Sequence, residues 1–380
     1  MLTGLYFNDY KAFGEAQTVP LRRLTILIGK NNSGKTAVTR SVALWGELAH
    51  ARPDAHSGLP LQVRGLPIAA TTSDLVHNQM THGRFSLGFE AEKEGGSRRL
   101  TFDLQNVSSL RAATAALFVE ARVTDGSNQV TFKRSGDAGA RSLWELMESP
   151  ELSGTRSWAQ EVFKDIFYLA AVRAPVEPIY PNKSYQADYL SGGATAPHLL
   201  ASNPLVTEWV SSWYEKSLGV GPLRLERDAN SFLLQVGKSN LAASGQGLQQ
   251  VLPVITALSY MAVGGDEIST LVVEEPELHL HPAAQGALAR ALANVLLRSF
   301  DSQVIVETHS ENLILGIRQM VAERLIDPAD VQIVWFEPTE IGTEVRPIMV
   351  EEDGSVDFWP EGVFSENLEF VRAISRANRR

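Results

Sequence analysis

Polar and apolar positions follow two regimes along this chain. Up to about residue 240 alternation dominates, and after Gly245 apolar strands take turns with amphipathic helices. In the first regime, Leu2–Phe7 and Arg22–Ile28 alternate with the period of a strand. The segment between them is turn-rich, with Gly14 and Pro20. A glycine-rich loop, Gly29–Gly34, follows, and Lys35–His50 then carries Val38, Val42, Leu44 and Trp45 on one helical face. Residues 51–83, with Pro53, Gly58, Pro60, Gly65 and Pro67, read as irregular, with a short helix near Thr72–Gln79. Phe85, Leu87, Phe89 and Ala91 then alternate with polar or small residues, and Gly95–Gly96 turns the chain into Arg98–Leu104. Ala115–Val123 and Gln129–Lys133, joined at Asp125–Gly126, complete four antiparallel strands. Helices are expected at Leu143–Met147, Trp158–Lys164 and Leu205–Leu218, and a strand at Phe167–Val172. Residues 174–198 read as a loop, and Leu223–Glu226 with Phe232–Val236 as a hairpin.

The second regime predicts a helix at Gly247–Met261, a strand at Thr270–Glu274 and a helix at Pro282–Arg298. A strand at Gln303–Thr308, a helix at Glu311–Glu323 and a strand at Val331–Phe336 complete it. This rhythm is that of a parallel sheet covered by helices. No repeat and no sustained heptad pattern is visible. The apolar runs Leu24–Gly29 and Thr270–Val273 fall far short of the roughly 20 residues that span a membrane. The N-terminus has no basic stretch followed by an apolar one. The expectation is a soluble, cytoplasmic protein without membrane contact.

Composition narrows the chemistry. The 380 residues are 44% hydrophobic and 21% charged, enough for a core without staples. There is no cysteine, which excludes disulfides, thiolate zinc sites, iron–sulfur clusters and a cysteine nucleophile. The net charge of −10 argues against nucleic-acid binding through the overall field. Local candidates for DNA contact are Arg98–Arg99 and the tail residues Arg376, Arg379 and Arg380.

Four motifs carry chemistry. Gly29, Lys30, Asn31, Asn32, Ser33, Gly34, Lys35 and Thr36 match the phosphate-binding loop in full, after a strand and before a helix. Its backbone N–H groups and the helix N-terminus favour phosphate, Lys35 reaches the β- and γ-phosphates of ATP, and Thr36 takes Mg²⁺. The strand Leu271–Val273 ends in Glu274 and Glu275, which suit metal holding and activation of water, respectively. The strand Gln303–Val306 runs into Glu307, Thr308, His309 and Ser310. There His309 can reach the γ-phosphate or the water, while Ser310 alternatively caps the next helix. Ala243–Gln250 opens a helix with small residues, Ser244, Gly245 and Gly247, which is either a second anion site or a plain helix start.

In order, GKNNSGKT, SGQGLQQ, LVVEEPELHLHP and VIVETHS resemble the ABC-type ATPases of the RecF, SMC and OLD group. EEPELHLHP and ETHS are most similar to OLD-like ATPases of bacterial anti-phage systems, and Phe358–Phe364 resembles a tail domain of unknown function that follows some of them. The resemblance covers roughly residues 1–48 and 240–375. It implies an α/β P-loop fold of ABC-ATPase type with an inserted β-rich and helical lid. The implied divisions are 1–50 and 241–340 for the ATPase head, 51–240 for the insertion and 341–380 for the tail. It makes Gly29–Thr36 the Walker A loop, Glu274 and Glu275 the Walker B acid and catalytic base, and Leu278–His281 the D-loop. His309 becomes the switch histidine. Ser244, Gly245 and Gly247 become the signature, facing ATP on the partner of a homodimer. The glycine spacing departs from LSGGQ, and no glutamine stands at the end of Phe167–Arg173, where a Q-loop belongs.

Among functions, a transporter nucleotide-binding domain does not fit, because residues 37–243 separate loop and signature. A chromosome-type ATPase requires coiled-coil arms. An OLD nuclease requires a TOPRIM domain, and residues 310–380 lack a matching carboxylate cluster. The expectation is an ATPase that dimerises around ATP and regulates an effector, such as a nuclease or toxin, in defence against phage. The alternatives are a RecF-type ATPase acting on DNA in repair, and an ATP-sensing switch with little turnover.

Overall fold

The structure is a computed structural model and describes residues 1–51, 58–93, 96–107, 115–133, 154–182, 193–264, 268–360 and 363. A six-stranded sheet carries the motifs. Its order is Ile166–Leu169, Thr270–Glu274, Gln303–Glu307, Leu24–Gly29, Val331–Thr339 and Gly342–Ile348. The first five strands run parallel and the last is antiparallel. Successive residues of these strands enter opposite cores, as strands covered on both faces must. Ile26, Leu169, Val273 and Val306 meet the helices Gln246–Ser259, Pro282–Arg298 and Glu311–Ala322. Leu27, Tyr168, Val272 and Ile305 meet the helix Lys35–His50.

A second six-stranded sheet, wholly antiparallel, covers the other side of that helix. Its order is Gln17–Pro20, Leu2–Asn8, Arg84–Lys93, Gly96–Val107, Ala115–Asp125 and Asn128–Lys133. Trp45 joins the layers, its ring centroid 4.9 Å from Phe89 and 5.2 Å from Phe102. The four strands expected within an insertion therefore continue the sheet begun by Leu2–Asn8. A small sheet of Tyr180–Pro181, Ser231–Val236 and Leu223–Arg227 adds Phe232, Leu234 and Leu223 to the helical core.

The α/β P-loop architecture is as expected, and several elements match to the residue: Lys35–His50, Thr270–Glu274 and Pro282–Arg298. Others differ. The segment read as a turn contains the strand Gln17–Pro20, whose Pro20 is tolerated at a sheet edge. The loop 174–198 gives way to a helix, Ala196–Ser202, with Pro197 in its first turn, where a missing N–H costs nothing. The helix expected near Thr72–Gln79 is two 3₁₀ turns broken at Asn78, φ 56°. The strand Gly342–Ile348 was not anticipated, and Leu143–Met147 lies outside the described residues.

Candidate functional site

Parallel register brings the motifs to one sheet edge. Leu27 pairs with Glu307, and Glu307 with Glu274, so the phosphate loop and two acidic strand ends emerge side by side. The loop is tightly built. A Cβ on Gly29 would lie 2.9 Å from the Phe336 carbonyl oxygen. Gly34 adopts φ 97°, and a Cβ there would lie 3.1 Å from Ala12. Lys35 is buried, and its Nζ donates to the carbonyls of Gly29 (3.0 Å) and Lys30 (2.9 Å). Burial lowers its pKa, against the opposing pull of Glu307 and Glu275.

The carboxylates form a compact acidic pair. Thr36 Oγ1 donates to Glu307 Oε1 at 2.8 Å, and Thr39 Oγ1 stands 3.2 Å from Glu274 Oε1. Glu274 also accepts from the Tyr168 hydroxyl and from the Ala171 N–H at 3.2 Å, with Arg40 Nε 3.7 Å away. Burial, and next the charge of Glu274, push the Glu307 carboxyl up to about 7. Two desolvated carboxylates beside a threonine hydroxyl fit a divalent cation, with phosphate oxygens and water completing its shell. Among the described residues no group of three His, Asp or Glu side chains forms a metal cage by itself. Glu307 was missed in the sequence, although it ends its strand as Glu274 does.

Glu275 turns out of the strand with φ 41°, its N–H donating to the Glu307 carbonyl at 2.7 Å. Its half-buried side chain shares an open cavity of about 780 Å³ with Asn31–Thr36, Glu307 and His309. His309 opens to solvent on one side, and its partial desolvation, then the charge of Lys35, lower its pKa. Its backbone is fixed by Glu277, whose Oε1 accepts from the Thr308 hydroxyl (2.6 Å) and the His309 N–H (3.0 Å). Ser310 takes the capping role, its Oγ accepting from the Leu313 N–H at 3.0 Å.

Ser244, Gly245 and Gly247 stand apart from this cavity. Ser244 Oγ donates to the Leu241 carbonyl at 2.6 Å, and exposed Gly245 has no atom within 4 Å of a built Cβ. Gly247 lies against residues 278–281, where a Cβ would come within 2.4 Å of the His279 carbonyl oxygen. The described DNA candidates are occupied: Arg98 pairs with Asp125 and Arg99 with Glu90, each at 2.7 Å. Arg376, Arg379 and Arg380 lie outside the described residues. Where a Q-loop glutamine was sought, Arg173 stands instead, buried beneath the Glu274–Glu275 turn.

Residues 226–314 match the AAA ATPase domain family, and residues 326–370 match a protein family of unknown function. An OLD nuclease of Thermus scotoductus is 32% identical over 101 residues, which are 26% of this chain and only 19% of that protein. An Smc head bound to the C-winged helix domain of ScpA superposes with a TM-score of 0.53 at 11% identity, covering 92% of this chain and 98% of that one. An Smc head domain with an extended coiled coil, bound to the C-terminal domain of ScpA derived from Pyrococcus furiosus, gives 0.51 at 12% identity. That likeness covers 100% of this chain and 99% of the other. The phosphate loop, the acidic strand ends and the likeness to Smc heads show a P-loop ATPase fold, and within it residues 226–314 are similar to the AAA ATPase domain family.

Proposed function

We propose that the chain binds ATP with Mg²⁺ and hydrolyses it in this cavity. The reading is carried by the convergence of Lys35, Thr36, Glu275, Glu307 and His309 on one space. Backbone N–H groups of the loop bind phosphate oxygens, and Lys35 exchanges its carbonyl partners for the β- and γ-phosphates. Thr36, Glu274 and Glu307 would hold Mg²⁺, and the ion would supply charge neutralisation at the phosphates. Glu275 accepts the proton of the attacking water, and His309 hydrogen-bonds the γ-phosphate or that water. Glu307→Gln removes one of two metal carboxylates. It is expected to raise the Mg²⁺ concentration for half-maximal turnover by about tenfold. An unchanged Mg²⁺ titration removes Glu307 from the metal site.

The spare helix start supports a head-to-tail homodimer. In its own subunit the start of the helix Gln246–Ser259 does not line the phosphate-loop cavity, so Ser244 and Gly245 suit the γ-phosphate of a partner's ATP. Gly247→Arg is a poor probe, since it strikes residues 278–281 of its own subunit. At exposed Gly245 the Cβ of an arginine would enter open space. In a Glu275→Gln background with ATP, mass photometry should show dimers, and adding Gly245→Arg should return them to monomers. Monomers in both cases refute the sandwich.

The output of this cycle is control of an effector, a nuclease or toxin, in cytoplasmic defence against phage. The OLD nuclease relative and the EEPELHLHP sequence support that reading. Direct action on DNA in repair is disfavoured by the ion-paired state of Arg98 and Arg99 and the net charge of −10. ATP turnover measured with and without duplex DNA separates the two, since stimulation by DNA alone favours repair. A second protein retained through native purification favours the effector.

A further inference from the structure

The turn that carries both acidic residues is not held by its own strand alone. Glu275 is a non-glycine residue in the left-handed region, a conformation that persists only where surroundings impose it. Its N–H is fixed by the Glu307 carbonyl, and its own carbonyl receives Arg173 Nη2 at 3.0 Å. The same nitrogen donates to the Glu274 carbonyl at 2.5 Å. Arg173 Nη1 donates to the Gln250 carbonyl at 3.3 Å. The main chain of Arg173 and the side chain of Gln250 also bond reciprocally: Arg173 N–H to Gln250 Oε1 at 3.2 Å, and Gln250 Nε2 to the Arg173 carbonyl at 3.3 Å.

Gln250 is the fifth residue of the helix that opens with Gly245 as its N-cap. One buried guanidinium therefore spans the acidic turn and the helix whose N-terminus faces outward. Gly247 seats that helix against the His279 carbonyl, so the helix meets one end of residues 274–279 directly and the other through Arg173. Arg173 is 3% exposed, and burial pulls its pKa down to about 10 against the opposing charges of Glu277, Glu274 and Glu275. It is charged at neutral pH, and its fork geometry suits three carbonyl oxygens as a lysine's single ammonium does not.

We propose that Arg173 is a positioning residue that holds Glu275 in its left-handed turn and, through Gln250, makes that hold depend on where the helix Gln246–Ser259 sits. Movement of the helix on nucleotide-driven closure then reaches the base of the reaction through a single side chain. This rests on the hydrolysis reading given above, but the hold on the turn does not.

The test uses the full chain with Arg173→Met, Arg173→Lys, Gln250→Leu and the double variant Arg173→Met with Gln250→Leu. Arg173→Met should lower kcat by about tenfold or more while ATP affinity stays within about twofold, the split expected of an interaction that orients a reacting group. Gln250→Leu should lower kcat less, Arg173→Lys should not restore it, and the double variant should be no slower than Arg173→Met. Hydrogen exchange without nucleotide should quicken at residues 275–279 in Arg173→Met and in Gln250→Leu and stay unchanged at residues 29–36. If Arg173→Met does not fold, Gln250→Leu alone must show the slower turnover and the faster exchange. Wild-type kcat in Gln250→Leu, additive losses in the double variant, or unchanged exchange overturns the proposal. A wild-type chain that hydrolyses no ATP defeats the hydrolysis reading instead, and exchange then decides the role of Arg173.

Discussion

Lys35→Ala and Lys35→Met are expected to lose ATP affinity by roughly 100-fold or more, the equivalent of about 3 kcal/mol. In the proposed site the ammonium would supply full positive charge to the β- and γ-phosphates. It is buried and donates to the carbonyls of Gly29 and Lys30. Burial makes that charge costly, so its loss should shift Tm by only a few degrees. Lys35→Met keeps the aliphatic stem and separates packing from charge. Calorimetry with ATP and a thermal melt check both halves. Equal affinity in wild type and Lys35→Met removes the loop from nucleotide binding, and collapse of Lys35→Ala with a sound Lys35→Met assigns the stem to packing.

How much of the molecule was legible follows from where each signal lives. Strand Thr270–Glu274 and helix Pro282–Arg298 were readable to the residue because apolar runs and a proline at the first turn are local properties. Gly34, Lys35 and Thr36 were readable because a phosphate loop is one short segment. What failed was long-range. Glu307 meets Thr36 through a sheet register that pairs Leu27 with Glu307, across nearly the whole chain. Arg173 and Gln250 meet beneath Glu274 through tertiary packing, and nothing in residues 170–173 marks an arginine there as different from a surface one. The pairing of Arg84–Lys93 with Leu2–Asn8 is of the same kind. Alternation identified each strand and left its neighbour unspecified.

Glu275→Gln is expected to retain ATP and lower turnover by roughly 10²- to 10⁴-fold. The side chain is half-buried in the cavity and keeps its size as glutamine, so the left-handed turn and its bonds to Glu307 and Arg173 survive. What is lost is the capacity to take a proton from water. Glu274→Gln should behave differently, because Glu274 is buried and accepts from Tyr168, Thr39 and the Ala171 N–H. An amide there turns one acceptor into a donor facing donors, which costs stability and weakens Mg²⁺ dependence rather than trapping ATP. Single-turnover hydrolysis, ATP retention on a desalting column and an Mg²⁺ titration on both variants distinguish the roles. Retention with slow chemistry in Glu275→Gln and a shifted Mg²⁺ requirement in Glu274→Gln agree with the assignment. The reverse pattern exchanges the two residues, and a wild-type rate in Glu275→Gln leaves the deprotonation of water to another group lining the cavity.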